Sequence, residues 1–174
     1  MKKPALNHAQ LRSMLDYDAE TGTFTWKQRD DVRAQWNGRY AGKVAGYART
    51  ATGGGLYWSI RIFDWPFHAG PLAWFYMTGD WPAAIVDHAD CNGLNNRWSN
   101  LRLATKAQNA ANVGASKANT SGFKGVSAKA GRWRATIYIG GKQKALGTFD
   151  TAAEAHVAYA KAAAAVHGPF ARAA

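Results

Sequence analysis

One stretch near the middle of this 174-residue chain constrains its fold more than any other. A short apolar run, Ala84-Ile85-Val86, leads directly into Asp87-His88, and a loop rich in Asn and Gly follows. Asn100-Leu101-Arg102-Leu103 has the character of a second short strand, and Thr105 is a suitable N-cap for a helix that carries Asn109. We therefore expect a strand, a loop, a second strand and a helix in immediate succession.

The sequence before this stretch predicts short helices and strands separated by glycine turns. Apolar residues at 6, 11, 14 and 15 follow helical spacing, and Thr21-Gly22 predicts a turn into a strand at 23–26. Consecutive glycines precede a further strand at 56–63, and the run from Pro71 to Met77 is typical of a short, largely buried helix. The N-terminal region is therefore predicted to be α+β.

The sequence after this stretch predicts a linker and a second α+β unit. Small and polar residues dominate positions 113–121, and strands are expected at 122–127 and 132–139. Gly140-Gly141 is a hairpin turn into a third strand, and Thr151 with Glu154 has the capping-box pattern that starts an alanine-rich helix. The predicted organisation is a domain at 1–113, whose core is about 83–113, a linker at 114–120, and at 121–174 a three-stranded antiparallel sheet packed on one helix.

The charge of the chain indicates a polyanionic partner. Lys and Arg number 22 against 11 acidic residues, which gives a net charge of +11 and a pI near 10.0. From Ala115 onward nine basic residues stand against two acidic ones, so this shorter part carries +7. Nucleic acid is the usual polyanion for such a protein, and neither a membrane nor a protein partner is implied.

Cysteine content and hydropathy bear on the compartment. Cys91 is the single cysteine, which excludes an intramolecular disulfide and a cysteine-rich zinc site and fits a reducing cytoplasm. No apolar run has the length of a membrane span, and no apolar segment follows Lys2-Lys3 as in a signal peptide. We therefore expect a cytoplasmic protein.

The stretch from Val86 to Asn109 resembles the HNH homing-endonuclease family. Asp87-His88 is followed by Asn100, 12 residues after the histidine, and by Asn109, a further 9 residues on. The likeness extends over most of residues 5–113 through Leu15-Asp16-Tyr17-Asp18, Thr21-Gly22, Trp26, Leu72-Ala73-Trp74 and Gly79-Asp80-Trp81-Pro82. The resemblance implies the ββα-metal motif, in which two short strands and a loop are crossed by a helix.

The resemblance also implies a role for each of these residues. His88 would be the general base that takes a proton from the attacking water, since histidine exchanges protons near neutral pH. Asp87 and Asn109 would hold one divalent metal ion, Mg²⁺ or Mn²⁺, through a carboxylate and an amide oxygen. Asn100 would hold the two-strand hairpin and orient the imidazole.

Neighbouring residues leave alternatives open. Asp90 could replace Asp87 as a metal ligand, and Asn112, one helical turn from Asn109, could share or take its role. For the other asparagines of the loop we favour a structural role, because Asn is a common turn residue. These asparagines are Asn92, Asn95 and Asn96.

The sequence departs from the family pattern at one place. The family usually shows His-Arg just before Leu-Ala-Trp, and this chain has Gly70-Pro71 there. The role of that pair is therefore lost here, or has moved to His68.

Residues 121–172 resemble the Apetala-two/ethylene-response-factor DNA-binding domain. The matching residues are Gly122-Phe123-Lys124-Gly125-Val126, Gly131-Arg132-Trp133-Arg134-Ala135, Leu146-Gly147-Thr148-Phe149 and Ala152-Ala153-Glu154-Ala155 with Ala158-Tyr159. The resemblance implies that a three-stranded sheet, backed by one helix, lies in the major groove of DNA.

Period-two alternation in the second of these strands gives an orientation independently of the resemblance. The apolar residues at 133, 135, 137 and 139 would face the helix, so the alternate residues would face DNA. We expect DNA contacts from Lys124, Lys129, Arg132, Arg134, Thr136, Tyr138, Lys142 and Lys144.

Together these features predict a homing-type DNA endonuclease in the cytoplasm of a bacterium or phage-infected host cell. Its expected partner is double-stranded DNA, on which the C-terminal sheet would position it. Two alternatives stay open: a sequence-specific DNA-binding regulator on a non-cleaving nuclease scaffold, and a poorly specific phage HNH nuclease.

Overall fold

The computed structural model describes residues 4–116 and 118–172 and contains two compact units, Met1–Leu103 and Ala104–Ala174. A mixed content of 32% helix and 31% strand confirms the predicted α+β class. The boundary between the units falls just before the helix of the central stretch, so the predicted linker at 114–120 lies inside the second unit.

The first unit combines short helices with small sheets. Its helices are α1 (His8–Met14), α2 (Ala34–Tyr40) and α3 (Ala69–Thr78). Its strands are β1 (Leu15–Asp18), β2 (Thr23–Trp26), β3 (Tyr47–Thr50), β4 (Leu56–Ile62), β5 (Trp65–His68), β6 (Ile85–His88) and β7 (Leu101–Ala104). Strand β1 pairs with β2, β4 lies between β3 and β5, and β6 pairs with β7.

Helix α3 lies at the centre of the core of the first unit. Leu72 and Ala73 are fully buried, and the helix contacts α1, β4, β5 and β6. A helix that is apolar around most of its circumference is stable only when it is surrounded in this way. Gly79 ends α3 in the left-handed conformation, which glycine adopts without steric cost.

The turn between β4 and β5 differs from the sequence prediction. The sequence predicts a turn at Asp64-Trp65-Pro66, whereas Phe63 and Asp64 form the turn at positive φ and Trp65 already begins β5. Pro66 is tolerated because β5 is an edge strand, where a residue can lack the N–H that a ladder needs.

The second unit begins with helix α4 (Lys106–Asn112) and continues with an antiparallel sheet of β8 (Val126–Lys129), β9 (Arg132–Ile139) and β10 (Lys142–Phe149). Helix α5 (Ala152–His167) packs on all three strands. Ala135 and Ile137, on the inward face of β9, are buried, as the alternation predicts. Strand β8 begins later than predicted because Gly122 and Gly125, both at positive φ, form turns before it.

Substitution of Gly125 tests the packing between the sheet and α5. Its φ is +72°, and a Cβ there would lie 2.2 Å from Cδ2 of the buried Tyr159 ring and 2.7 Å from the carbonyl oxygen of Thr136. We expect Gly125→Ala to lower the free energy of unfolding by about 2–4 kcal/mol, because steric overlap adds to the left-handed strain. Denaturant unfolding followed by circular dichroism measures the loss.

Gly141→Ala is the matched control for this variant. Gly141 has a φ of +76°, and a Cβ there would meet nothing within 4 Å. The control should therefore lose only the conformational part, about 1–2 kcal/mol. Equal losses in the two variants would show that the contact with Tyr159 is unimportant.

Candidate active site

Strands β6 and β7 are joined by an asparagine-rich loop whose base is closed by a backbone hydrogen bond. The N–H of Ala89 donates to the carbonyl oxygen of Asn100 at 2.9 Å, directly after β6 and directly before β7. The loop is folded back on itself by turns, and Cys91 in it has a positive φ of 61°. This arrangement places the ends of both strands, and the side chains they carry, at one edge of the hairpin.

Asn100 fastens the loop with its side chain. Its Oδ1 accepts from the N–H of Asp90 at 3.1 Å, and its Nδ2 donates to Oδ1 of Asp90 at 2.9 Å and to the carbonyl oxygen of Asn95 at 2.8 Å. One amide thus joins the start, the middle and the end of the loop. The contacts that the structure gives for Asn100 therefore hold the hairpin, which is one of the two tasks the resemblance implied.

The carboxylate of Asp90 is occupied by the same loop. Its Oδ1 accepts from the N–H of Asn92 at 2.8 Å, and its Oδ2 accepts from Nδ2 of Asn95 at 2.7 Å. Burial alone would raise the pKa of Asp90, but hydrogen bonds from Asn92, Asn95 and Asn100 and the charge of His88 outweigh it and lower the pKa. Asp90 is therefore an ionised acceptor that organises the loop, and Asp87 is the better candidate ligand.

Asp87 is a buried carboxylate, with 6% of its surface exposed. Its Oδ2 accepts from Nε of Arg102 on the neighbouring strand at 2.9 Å. A buried charge requires such a partner, because removal from water costs several kcal/mol per ion. A carboxylate offers about four acceptor positions, and the hydrogen bond from Nε of Arg102 uses one of them.

His88 is held by a residue for which the sequence indicated only a structural role. Its Nε2 lies 3.1 Å from Oδ1 of Asn96, which is 2% exposed. The amide of Asn96 is oriented by a second bond, because its Nδ2 donates to the carbonyl oxygen of Leu94 at 3.2 Å. Since an amide oxygen only accepts, Nε2 of His88 is the donor, and Nδ1 is the basic nitrogen of the neutral ring.

The backbone of Asn96 is fixed from the other side. The hydroxyl of Tyr17 donates to its carbonyl oxygen at 2.7 Å. Burial and the neighbouring charge of Asp18 raise the pKa of Tyr17 to about 12, so this hydroxyl stays a donor over the whole physiological range. Gly22 also approaches closely, because a Cβ there would lie 2.3 Å from the carbonyl carbon of Asn96.

The first turn of α3 borders the imidazole. A Cβ on Gly70 would lie 3.4 Å from Cε1 of His88 and 3.6 Å from Oδ1 of Asn96. Gly70 therefore stands beside the ring at the place where the sequence departs from the family pattern. His68, the proposed substitute, is exposed and stacks on Tyr57, with ring centroids 4.2 Å apart.

The predicted amide ligands lie on α4, in the second unit. Thr105 and Gln108 form the capping box that starts this helix. Asn109 is half-buried and Asn112 is buried. The described residues contain no group of three or more His, Cys, Asp or Glu that could hold a metal ion, although one carboxylate with amide oxygens would not form such a group.

The loop asparagines differ in what their side chains contact, and the sequence does not show this difference. Asn92 and Asn95 take part in turn hydrogen bonds, which agrees with the structural role predicted for them. The contact between Asn96 and His88 was not predicted, because repeated asparagines in one loop carry no signal of which one is buried against the histidine.

The predicted DNA-contact residues occupy different environments in the second unit. Tyr138 is 64% exposed, and Lys129, Lys142 and Lys144 are exposed. Arg132 forms an exposed ion pair with Asp150 at 2.8 Å, Oγ1 of Thr136 accepts from Gln143 at 3.3 Å, and Arg134 is half-buried.

Lys124 differs from the other predicted contacts. Its Nζ donates to the carbonyl oxygens of Ala110, Ala111 and Val113, at the C-terminal end of α4. A helix C-terminus attracts a cation through its carbonyl groups and its dipole. The ammonium is therefore engaged inside the unit and stabilises α4.

Comparison with known proteins identifies the region around this site. Residues 69–111 match the family model of the HNH endonuclease, so an HNH endonuclease domain lies there, which implies a nucleic-acid substrate. A 60-residue stretch, 33% of the chain, is 47% identical to Protein 3.8 of Escherichia phage T7 and covers half of that protein. Within residues 4–116 and 118–172, no helix is both long and apolar enough to cross a bilayer.

Proposed function

We propose that this protein is a phage DNA endonuclease of the HNH type that hydrolyses phosphodiester bonds with His88 as its general base. The observation that carries the proposal is the pairing of His88 with the buried Asn96, inside the segment that matches the HNH endonuclease family. A histidine fixed in one orientation and one tautomer is suited to take a proton from a positioned water molecule.

In this reaction His88 acts through Nδ1, because Nε2 donates to Asn96. The water that loses its proton to Nδ1 forms a new bond to phosphorus as the P–O3′ bond breaks, and the 3′ oxygen leaves and takes a proton from solvent. Asn96 stabilises the imidazolium that results by accepting from Nε2. Asn100 and Asp90 keep the loop, and with it Asn96, in position. These residues supply orientation and proton transfer.

A divalent metal ion, Mg²⁺ or Mn²⁺, is proposed as the cofactor, as HNH nucleases generally use one. The buried carboxylate of Asp87 suits a hard cation, which prefers oxygen ligands. Such an ion, when bound, supplies positive charge that neutralises the phosphate. Asn109 as an additional ligand remains a prediction of the family resemblance.

A plasmid assay tests the proposed function directly. Purified protein should convert supercoiled plasmid to nicked or linear forms with Mg²⁺ or Mn²⁺, and excess chelator should stop the conversion. Conversion that continues in chelator would contradict the metal-dependent mechanism. Binding without conversion, on DNA that includes the native locus, would favour a DNA-binding regulator instead.

We further propose that the second unit binds DNA through the outer face of its sheet and positions a homing-type enzyme on its target. The support is the charge of +7 from Ala115 onward, together with the exposed or half-buried polar residues that alternate along β9. Arg132, Arg134, Thr136 and Tyr138 alternate with the inward residues Ala135 and Ile137. Such a face suits phosphate and base-edge contacts.

Arg134 provides a test of this face. Arg134→Ala should weaken DNA binding at all sequences and reduce the slope of log affinity against log salt by about one, because one phosphate contact is lost. Fluorescence anisotropy titrations at several salt concentrations measure both quantities. Lys161→Ala, which removes an exposed cation from α5, should leave the slope unchanged, and an equal decrease in that control would indicate a non-specific charge effect.

A further inference from the structure

The first unit also has a concave surface that is lined by residues other than those of the candidate active site. We call it the aromatic groove, and it is defined by Trp26, Trp36, Tyr40, Tyr47, Phe63 and Arg61. Its cavity volume is about 650 Å³, within the range of roughly 300–1,000 Å³ that is usual for ligand sites.

The rings on one wall of the groove are packed at angles to one another. Trp36 lies edge-on to Trp26, with centroids 5.4 Å apart, and is tilted against Tyr40 at 5.2 Å. The guanidinium of Arg29 lies 5.4 Å from the centre of the Trp36 ring. Helix α2, which carries Trp36 and Tyr40, has no buried residue, so these large rings remain partly open to solvent.

The local backbone conformation does not favour phenylalanine at position 63. Phe63 occupies a turn position at φ +49°, where Asn or Gly is favoured and a bulky side chain is strained. Burial does not compensate for this strain, because 49% of the residue is exposed. Backbone strain of this kind persists mainly at binding and catalytic sites. A ligand that stacks on the ring would explain why it is there.

The charge around the groove selects the kind of ligand. Arg29 and Arg61 line the groove together with the carboxylate of Asp64, and the chain segment 27–64 contains seven Lys or Arg against three Asp, so the partner that complements it is an anion. Aromatic rings combined with cations are the usual surface for unpaired bases of single-stranded nucleic acid, because every base presents a flat face once it leaves the duplex stack.

We propose that the aromatic groove binds unstacked bases of single-stranded DNA, with Tyr47 and Phe63 as stacking surfaces and Arg61 beside the phosphates. The inference rests on the proposed function in one respect, because it takes DNA as the substrate. The groove would add a DNA contact to those already proposed, and this contact would be with bases that have left the duplex.

Phe63→Gly tests the proposal because folding and binding should respond in opposite directions. Glycine removes the ring and also the strain at positive φ, so the thermal midpoint of unfolding should stay at the wild-type value or rise above it. Affinity for a fluorescent oligothymidylate of about 16 nucleotides should fall by about fivefold to 100-fold, the usual effect of one stacking ring. The titration uses the full chain with chelator, so that no cleavage occurs.

Controls separate the proposal from its alternatives. Tyr47→Ala should lower the affinity for oligothymidylate as Phe63→Gly does. Leu56→Ala, which removes another exposed apolar side chain of the same sheet, should bind like wild type. Affinity for a duplex of the same length should change little. Unchanged affinity for the single strand in both groove variants would overturn the proposal. A wild-type dimer that dissociates in Phe63→Gly would also overturn it, since the groove would then hold a second copy of this chain.

Failure of the groove proposal and failure of the nuclease proposal are distinguishable. The groove is tested by binding in chelator, and the nuclease by metal-dependent conversion of plasmid. If the protein cuts DNA but all groove variants bind oligothymidylate equally well, the nuclease proposal is retained and the groove proposal is overturned.

Discussion

His88→Ala is expected to lose metal-dependent DNA cleavage while DNA binding persists. General acid–base catalysis by a positioned side chain contributes about 100- to 10,000-fold to a rate, so cleavage should fall by that factor. His88 is half-buried and bonded to the buried Asn96, whose amide oxygen would lose this donor. Conversion of supercoiled plasmid, measured over time at saturating protein, gives the rates.

A second substitution separates lost catalysis from lost folding. The alanine variant leaves the buried Oδ1 of Asn96 without the His88 donor, at a cost of about 1–3 kcal/mol of stability. His88→Gln can still donate to Asn96 but cannot serve as a base near neutral pH, so it should be equally inactive and more stable. His167→Ala, on α5, should cut at the wild-type rate. Full activity in His88→Gln would contradict the role of general base.

Asn96→Leu is expected to reduce the cleavage rate by about 10- to 100-fold, with a smaller effect on the affinity for DNA. Loss of the partner that orients a catalytic or metal-bound histidine usually has an effect of this size. Leucine has a similar volume and no acceptor, so the imidazole loses its fixed tautomer. Asn96→Asp keeps an acceptor for Nε2 and should retain more activity than the leucine variant, provided that both fold.

The tautomer of His88 gives a readout that a purely structural role would not change. In ¹⁵N-labelled protein the ring nitrogens of His88, assigned by their loss in His88→Ala, should show a protonated Nε2 in wild type and a mixture in Asn96→Leu. Asn92→Ala is the matched control, because Asn92 lies in the same loop and its Oδ1 accepts from the N–H of Leu94 within a turn. A wild-type tautomer pattern in Asn96→Leu would refute the positioning role.

Local signals in the sequence were sufficient for several elements. Thr105 is the N-cap of α4 and Thr151 the N-cap of α5, as the sequence predicts, and Thr151 forms the predicted capping box with Glu154. The alternation along β9 identified Ala135 and Ile137 as inward residues, and both are buried. These features depend on residues a few positions apart, which the sequence displays directly.

Features that depend on distant contacts were not visible in the sequence. The sequence predicted that Lys124 contacts DNA, whereas its ammonium lies on the carbonyl oxygens at the end of α4, more than ten residues earlier in the chain. The helical spacing at the start of the chain includes Leu15, but Leu15 to Asp18 pair with β2 as strand β1. Pairing partners of this kind are set by the whole unit.

The sequence by itself determined the α+β class, the order of strand, loop, strand and helix around His88, and the basic character of the C-terminal part, because composition, caps and periodicity are local properties. The tertiary structure decided which loop asparagine holds the histidine and that Phe63 stands exposed in a strained turn. Burial and orientation arise from packing between residues far apart in the chain, so neither could be inferred from neighbours alone.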